Sequence, residues 1–480
     1  MSFPEVLKTR PDPNAFPQNM AVHSTRIDPV VFNDGVSGTN GSLRFNLDSN
    51  VGGILDQNSH LCLSLRIPNG HLAYYPAGIG IMSLVKNCRL YIGGVEISST
   101  NSWNQYQTVE STASQGQTRK NYDTIKYGSN FYFQNNNDQA SLPADARDTV
   151  GFGGEGYTEA DKSAIGPQFT RTSLTNGDAD TFQGSIPIGY LFKFMQDRQL
   201  PIFLMDEQVT IEIDLQDDLG NGQRYCDFEG WAIGSQLVLN DCYLLADYMI
   251  YPPDTMEAIA DQQQSVGLRF DYRDVETNVS LVPNAGAVTD STFVQLIGGV
   301  NQRIRNLKIV NQPVLDDTNT ILGDYLSTGK YTQKSVNLKI NNSNYFPDND
   351  QTYPQLYANL VHCFAPLKNY IPRTVYEYSG GDAMHNLPPV GAQTYLTKDQ
   401  QLEFGGNVSV MGIDFTDMEN QPLMNGDVPL ELNYYRSNAP GDLNNMTEYL
   451  HAFLEYDRAF LLGKNGVSIS SAFIPADTPL

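Results

Sequence analysis

Apolar and polar residues alternate along much of the chain, and this alternation predicts β-strands. In the runs 60–67, 208–215 and 428–435 nearly every second residue is Leu, Ile, Val or Tyr. A period of two places these apolar side chains on one face of a half-buried strand. Helical periodicity is scarce. Only 189–197 predicts a short helix, and 446–462 fits either a helix or a long strand. The pattern therefore predicts an all-β fold.

The second half of the chain repeats patterns of the first half, which indicates an internal duplication. Four features recur in one order, roughly 220 residues apart. The matched pairs are SLRFNL at 42–47 with GLRFDY at 267–272, VKNCRL at 85–90 with IRNLKI at 304–309, the alternating runs 209–213 and 428–432, and Tyr243-Leu244 with Phe453-Leu454. In the first pair we expect Leu and Phe to point into the core and Arg to point outward. This ordered series predicts two tandem units.

Each predicted unit has two groups of strands separated by a long excursion. The excursions run from about 106 to 184 and from about 325 to 404, and they are rich in Asn, Gly, Asp, Tyr and Pro. Loops of this length in a compact domain are usually functional or interactive. Two groups of strands around an excursion fit a jelly roll, in which two four-stranded sheets pack face to face. The sequence therefore predicts two tandem eight-stranded jelly rolls with long loop excursions and few short helices.

Proline positions indicate where the units begin and end. Residues 1–40 contain five prolines and precede the first matched strand, so we expect an extended N-terminal arm there. Pro252-Pro253 follows the last strand of the first unit, and two prolines stop sheet pairing. The predicted divisions are an arm at 1–40, a first jelly roll at 41–251, a linker at 252–264 and a second jelly roll at 265–480.

Composition narrows the classes of function. The 480 residues carry a net charge of −24 and no long basic run, which argues against direct, sequence-specific nucleic-acid binding. No apolar run approaches the roughly 18 residues that span a membrane, and the N-terminus does not resemble a secretory signal. Scattered cysteines without a C-x-x-C pair predict a reducing compartment, with neither a disulfide framework nor a zinc site. They are Cys62, Cys88, Cys226, Cys242 and Cys363.

Two kinds of loop motif offer candidate chemistry, and each has a simpler explanation. The run 151–156 fits G-x-G-x-x-G, but it follows no apolar strand and carries Glu155 where phosphate would sit, which favours a flexible loop. Two oxygen-rich clusters resemble calcium ligands but lack the binding loop that ends in Glu. These clusters are Asn344 with Asp348 and Asp350, and Asn319 with Asp316 and Asp317.

The histidines and sequons give equally weak signals. His362 beside Cys363 has the residue types of a nucleophilic pair, but no partner can be assigned, so a packed or solvated histidine is favoured. His451 and Glu455 are spaced for one helix face, yet a single pair makes no metal site. Two sequons inside predicted strands are interpreted as incidental, namely Asn278-Val279-Ser280 and Asn407-Val408-Ser409. We therefore expect no catalytic, cofactor-binding or metal-binding residue, and no enzymatic activity.

Two segments carry a resemblance to a known family. LVKNCRLYIGGVEI at 84–97, followed by Tyr106, resembles a strand whose apolar-x-Asn-x-x-apolar run leads into a glycine turn and Ile. The late strands around a Leu-Pro, at 186–192 and 200–215, resemble a second part of the same proteins. With the tandem organisation, these segments resemble the double jelly-roll major capsid proteins of tailless icosahedral double-stranded DNA viruses. That group includes virophages, polinton-like viruses and large eukaryotic viruses.

The resemblance implies a structural role without cofactors. In that family three chains form a homotrimer, whose six sandwiches make a pseudo-hexagonal capsomer, and the capsomers tile an icosahedral shell. The implied partners are other copies of the chain, neighbouring capsomers, penton and minor capsid proteins, and an internal membrane. The implied location is the virion, after synthesis and assembly inside the host cell.

Two other functions stay open from the residues alone. Tandem β-sandwiches also build carbohydrate-binding proteins and carbohydrate-active enzymes, and an enzyme of this kind requires paired carboxylates in a cleft. A viral spike component is the other alternative, although it usually contains one jelly roll rather than two units of equal size.

Overall fold

β-Strands dominate the computed structural model of the chain, as the alternating sequence predicts. The strands come in two sets, one on each side of a helix that begins at Pro253. The described residues are 4–8, 20–33, 41–47, 52–66, 72–74, 80–114, 169–170, 181–215, 227–229, 238–283, 290–298, 303–313, 334–340, 343–346, 363, 410–416, 424–425, 430–437, 448–464 and 466–470.

The first set of described elements precedes Pro252. Its strands are β1 (Ala21–Ile27), β2 (Val31–Asn33), β3 (Ser42–Leu47), β4 (Ile54–Leu55), β5 (His60–Arg66), β6 (Leu72–Tyr74), β7 (Val85–Ile92), β8 (Val95–Thr100), β9 (Phe169–Thr170), β10 (Thr181–Pro187), β11 (Val209–Leu215), β12 (Asp227–Glu229) and β13 (Val238–Ile250). Its helices are α1 (Trp103–Ser114), α2 (Ile188–Leu191) and α3 (Lys193–Asp197), with 3-10 turns at Glu5–Leu7, Gly80–Leu84 and Ile202–Leu204. Helices α2 and α3 confirm the short helix predicted at 189–197.

These strands build a first sandwich of two antiparallel sheets. One sheet has the order β1-β13-β5-β10-β9, with β4 paired to β13, and the other has the order β2-β3-β11-β7-β8. If the eight strands of a jelly roll are lettered B to I in chain order, the sheets contain B-I-D-G and C-H-E-F. Here β1, β13, β5 and β10 take the first four places, and β3, β11, β7 and β8 take the others. A separate ribbon joins β12 to β6.

The second set begins with a helix and continues with strands. The helix is α4 (Pro253–Ser265). The strands are β14 (Leu268–Val282), β15 (Asp290–Ile297), β16 (Arg303–Pro313), β17 (Lys334–Ile340), β18 (Ser343–Asn344), β19 (Val410–Asp414), β20 (Met424–Asn425), β21 (Leu430–Ser437), β22 (Glu448–Gly463) and β23 (Gly466–Ser470). The segment for which helix and strand both fitted the sequence is therefore a strand, β22.

The second set forms another jelly roll. Its sheets have the orders β14-β22-β16-β19 and β15-β21-β17-β18, which are again B-I-D-G and C-H-E-F. Strand β20 also pairs with β16, and β23 pairs with the C-terminal part of β22, at residues 459–463. The predicted fold class, two tandem jelly rolls with few short helices, is confirmed.

Only half of the sequence matches pair equivalent strands. Strands β11 and β21 are both strand H, and β13 and β22 are both strand I, so the two later matches are correct. The two earlier matches are wrong by one strand, because β3 is strand C whereas β14 is strand B, and β7 is strand E whereas β16 is strand D. Neighbouring half-buried strands share the same period of two, so a six-residue run does not identify its strand. The predicted orientation holds for Leu43 and Phe45, which are buried in the core of their own sandwich, whereas Leu268 and Phe270 are buried in the core cluster of the first sandwich.

Part of the segment predicted as an N-terminal arm lies in the first sandwich. Strand β1 pairs with β13 from Ala21 opposite Ile250 to Ile27 opposite Leu244, and β2 pairs with β3. Earlier in the chain, Leu7 is buried and accepts a hydrogen bond from the backbone of Gln199 at 2.9 Å. The sequence did not predict β1, because most of this edge strand is exposed and apolar and polar residues do not alternate clearly along it.

The predicted linker is largely helical. Pro253 occupies the first turn of α4, where its missing N–H costs nothing. Gly267 ends the helix at φ +79°, a conformation that favours glycine, and its N–H reaches the carbonyls of Gln262 and Gln263 at 3.1 Å. The two prolines therefore start a helix as well as ending the sheet.

The apolar cores of the two sandwiches interlock. Among the described residues, five buried side chains from strands of the second set belong to the core cluster of the first sandwich, namely Leu268, Phe270, Tyr272, Phe460 and Leu462, together with Ile259 of α4. In return, Tyr106 and Val109 of α1 belong to the core cluster of the second sandwich. This exchange makes the contact between the sandwiches a packed region, which we call the junction.

Candidate functional site at the junction of the two sandwiches

Most of the loop candidates from the sequence lie outside the described residues. These are the run 151–156, the oxygen-rich positions Asp316, Asp317, Asn319, Asp348 and Asp350, and also His362, Asn407 and Cys226. Asn344 lies in β18 and is exposed. Within the described segments, no three His, Cys, Asp or Glu side chains are grouped to hold a metal ion, and no helix is long and apolar enough to cross a membrane.

The remaining candidates lie on strands or in the core. Cys363 is buried, and burial raises the pKa of its thiol well above the ordinary value, which opposes a role as nucleophile. Asn278 lies within the β14–β22 pairing. His451 and Glu455 share β22 rather than a helix, and Glu455 is part of the junction. The spacing of four fits one face of a helix, but residues four apart also share one face of a strand.

Three elements of the first sandwich form one side of the junction. Strand β8 is held there by a tight hairpin with β7, whose two-residue turn is Gly93-Gly94 at φ +58° and +79°. Helix α1 follows β8 directly, and α3 lies between strands G and H. These elements contact β14, β16 and β22 of the second sandwich.

A buried group of four charges lies at the centre of the junction. Lys308 of β16 contacts Glu110 of α1, and its Nζ lies 2.5 Å from Oε1 of Glu455 on β22. Lys193 of α3 places its Nζ 3.6 Å from a carboxylate oxygen of each Glu. We call these four residues the Lys–Glu cluster. It joins four separate elements, two from each sandwich.

Neutral groups complete the hydrogen bonding of the Lys–Glu cluster. The Tyr106 hydroxyl donates to Oε1 of Glu455 at 2.5 Å, and Nδ2 of Asn306 donates to Oε2 at 3.1 Å. Lys308 and Glu455 are each 1% exposed, so water screens these pairs very little. The two positive and two negative charges compensate one another, and an unpaired charge at this buried position would strongly destabilise the fold.

The pKa shifts in the cluster follow from this pairing. Burial alone raises the pKa of Glu455, but the ammonium groups of Lys193 and Lys308 hold it well below its ordinary value. The pKa of Glu110 is lowered for the same reason. Burial lowers the pKa of Lys308, whereas the two carboxylates raise it by more. All three groups therefore stay charged near neutral pH, which suits a permanent contact rather than proton transfer.

A second polar contact connects β8 with β14 and β22. Arg458 donates to Oδ2 of Asp274 at 2.6 Å, and the Ser98 hydroxyl donates to Oδ1 at 3.0 Å. The same guanidinium donates to the carbonyls of Ile97 and Glu96 at 3.2 and 3.3 Å. The pKa of Asp274 is raised to about 6, because burial raises it by more than its hydrogen bonds and the charge of Arg458 lower it. This contact fixes the middle of β8, at Glu96, Ile97 and Ser98.

Aromatic rings fill the space between the two polar contacts. Phe194 of α3 lies with its ring centre 6.1 Å from Phe270, 5.2 Å from Tyr272 and 5.5 Å from Phe460. Phe270 and Phe460 stack at 4.6 Å across the β14–β22 pairing. Buried rings in such pairs add to the hydrophobic contribution of their area. The junction is therefore a dense joint suited to holding two sandwiches in one orientation.

Ser98→Ala tests how far the polar contacts stabilise the joint. We expect the free energy of unfolding to fall by about 1–2 kcal/mol, because the buried Asp274 carboxylate loses a donor. Urea unfolding of the whole chain measures this change. Ser99→Ala is the control, since Ser99 bonds Glu96 on the same strand and should matter less. Equal midpoints for Ser98→Ala and wild type would show that this bond adds no stability.

Comparison with solved structures identifies the architecture. The mavirus major capsid protein matches with a TM-score of 0.54 at 10% identity, covering 95% of this chain and 92% of that one. This chain has the double jelly-roll fold. The Sputnik virophage structure gives a TM-score of 0.55 at 10% identity over 96% and 89% of the chains, and the Faustovirus major capsid protein gives 0.51 at 8% over 92% and 90%.

The similarity is detected by comparing structures and not by comparing sequences. No protein-family model and no curated protein matches the sequence. At identities near 10%, a structural match shows the fold alone. The individual contacts of the junction are therefore taken from the structure of this chain.

Proposed function

We propose that this chain is a major capsid protein, which forms homotrimers of pseudo-hexagonal outline that tile an icosahedral viral shell. The observation that carries the proposal is the junction, which joins two equivalent sandwiches through the Lys–Glu cluster and the interlocking of their apolar cores. Three copies of such a chain supply six similar sandwiches around one axis. A rigid joint is required, because every tile in a shell must present the same outline.

The remaining properties of the chain fit the setting of a capsid protein. Its net charge of −24 suits a shell wall that does not grip the genome directly. Its partners are further copies, neighbouring capsomers, penton and minor capsid proteins, and an internal membrane beneath the shell. It acts in the virion without enzymatic activity, after assembly inside the host cell. The chain divides at α4, with one jelly roll on each side.

Mass and shape test this proposal together. The purified chain is expected to give a scattering mass three times the 53.3 kDa of one copy. Negative-stain images of the same fraction should show particles with a hexagonal outline. A chain that stays monomeric across concentrations and salt, and that binds or hydrolyses glycans, would overturn the proposal in favour of a carbohydrate-directed protein.

A further inference from the structure

A cavity of about 280 Å³ lies between the two sandwiches and shares no residue with the Lys–Glu cluster. The first sandwich lines it with the end of β7 and the loop 204–207, and the second lines it with the turn between β22 and β23. Gln263 of α4 donates from Nε2 to the carbonyls of Leu204 and Gly463, each at 3.4 Å. One amide therefore connects the two sides of the cavity.

The inner wall of the cavity is apolar. Ile92, Leu204, Met205 and Leu462 line it and are each at most 8% exposed. Val467 of β23 also lines it and packs against the core cluster of the first sandwich. Sites for small molecules usually combine such an apolar wall with a few polar groups that orient the ligand. The wall is suited to the alkyl part of a small ligand.

The exposed side of the cavity carries three charged side chains. Asp206, Glu207 and Lys464 all line the cavity and are all exposed. Across the described part of the chain, none of these three side chains makes a hydrogen bond or an ion pair, so Lys464 does not neutralise either carboxylate. The cavity therefore has a net negative charge and two carboxylates available to a ligand.

Glu207 is positioned by two glycine turns, one from each sandwich. Gly93 lies in the hairpin between β7 and β8, and Gly466 begins β23, at φ +58° and +103°. A Cβ atom at Gly93 would collide with the Glu207 carboxylate, and one at Gly466 would lie 2.7 Å from its Oε1. Only glycine leaves room for the carboxylate at these two turns. Packing rather than a charged partner therefore holds Glu207 beside the cavity.

We infer that this cavity binds a small organic cation, namely a primary ammonium group on an alkyl chain. The alkyl chain covers the apolar wall, and the ammonium group lies between the carboxylates of Asp206 and Glu207. A neutral molecule of the same shape leaves both carboxylates without a partner, and an anion is repelled by them. Because the ligand contacts both sandwiches, its binding stabilises them in the orientation of the junction. The site is independent of the proposed capsid role.

Hexylammonium tests the chemistry of the site directly. Isothermal titration of the full chain at neutral pH should show saturable binding of one hexylammonium per chain, and the thermal unfolding temperature should rise with its concentration. Hexanol and hexanoate are the matched controls, because they carry the same alkyl chain with no charge or a negative charge. Absence of saturable binding, or equal binding of hexanol, would overturn the inference.

Four substitutions test which residues hold the ammonium group. Asp206→Asn and Glu207→Gln should each weaken hexylammonium binding about fivefold, the upper range for a partly exposed ion pair. Lys464→Ala should strengthen it, since a like charge is removed. Asp261→Asn is the control, because Asp261 is exposed on α4 outside the cavity and its loss changes the net charge equally. Unchanged binding to both carboxylate variants, or equal weakening by Asp261→Asn, contradicts the site.

The same ammonium chemistry occurs in free amines and in lysine side chains of other proteins. Titration with Nα-acetyl-lysine methylamide beside hexylammonium distinguishes these two sources. Tighter binding of hexylammonium identifies a free amine as the ligand, and tighter binding of the lysine derivative identifies a side chain of a partner. Either order supports the site, whereas failure of both to bind overturns it and leaves the capsid role to its own test.

Discussion

Lys308→Met is expected to lower the free energy of unfolding by about 3–5 kcal/mol, the range found when one partner of a buried ion pair is removed. Methionine fills nearly the same volume, so little of the loss would come from a cavity. The loss comes from charge, because Glu110 and the fully buried Glu455 would share the single ammonium of Lys193. Urea unfolding at neutral pH measures the change.

Two further variants distinguish buried charge from other causes. Lys339→Met makes the same substitution at a partly exposed pair, in which Lys339 lies 3.1 Å from Glu431, and should cost less than about 1 kcal/mol. Lys308→Met combined with Glu455→Gln leaves one positive and one negative charge, so it should recover part of the stability lost by Lys308→Met alone. If the double variant is less stable than the single one, charge imbalance is not the cause.

The Lys–Glu cluster also explains how a joint between two sandwiches selects one orientation. Apolar surfaces such as those around Phe194 pack in several related ways at similar free energy. A buried Lys and Glu tolerate far fewer arrangements, because any slip leaves a charge without its partner. We interpret the apolar residues as the main source of stability and the charges as the source of orientation. This division suits a protein whose outline has to be the same in every copy.

The sequence predicted the strands well because a half-buried strand needs only local alternation. The run at 209–215 reads Val-Thr-Ile-Glu-Ile-Asp-Leu, and all four of its aliphatic residues are buried in β11. Alternation does not say which strand of the jelly roll a run forms, and for that reason the match of β3 to β14 was wrong. Strand β1 was missed for the opposite reason, since an edge strand with exposed residues has little pattern to detect.

The Lys–Glu cluster was beyond sequence reasoning. Its members Glu110, Lys193, Lys308 and Glu455 lie on four elements that are distant in sequence, and packing alone brings them together. A weak signal existed, because Lys308 and Glu455 interrupt otherwise apolar strand runs, Leu-Lys-Ile and Phe-Leu-Glu-Tyr. A charge inside such a run indicates either a solvent-facing position or a buried partner. Only the structure decides between them.

Lowering the pH is expected to destabilise the chain through His451. This side chain is 5% exposed, neither ring nitrogen has a hydrogen-bond partner among the described residues, and its ring stacks on Phe453 at 6.2 Å. Burial lowers its pKa to about 4. In the unfolded chain histidine binds a proton near pH 6.5, so between pH 6.5 and 4 only the unfolded state gains the proton. Stability is therefore complete above pH 6.5 and falls by about 3 kcal/mol as the pH drops to 4.

His451→Phe isolates this contribution, because Phe keeps a ring next to Phe453 and does not titrate. Asp274, whose pKa is raised to about 6, acts in the opposite direction over part of the same window, so the wild-type curve alone is ambiguous. Urea unfolding at pH 7, 5.5 and 4.5 should show the variant gaining on wild type as the pH falls. His23→Phe makes the same substitution on the exposed edge strand β1 and controls for the loss of one histidine. Parallel curves for His451→Phe would mean that acid acts on this fold through other groups.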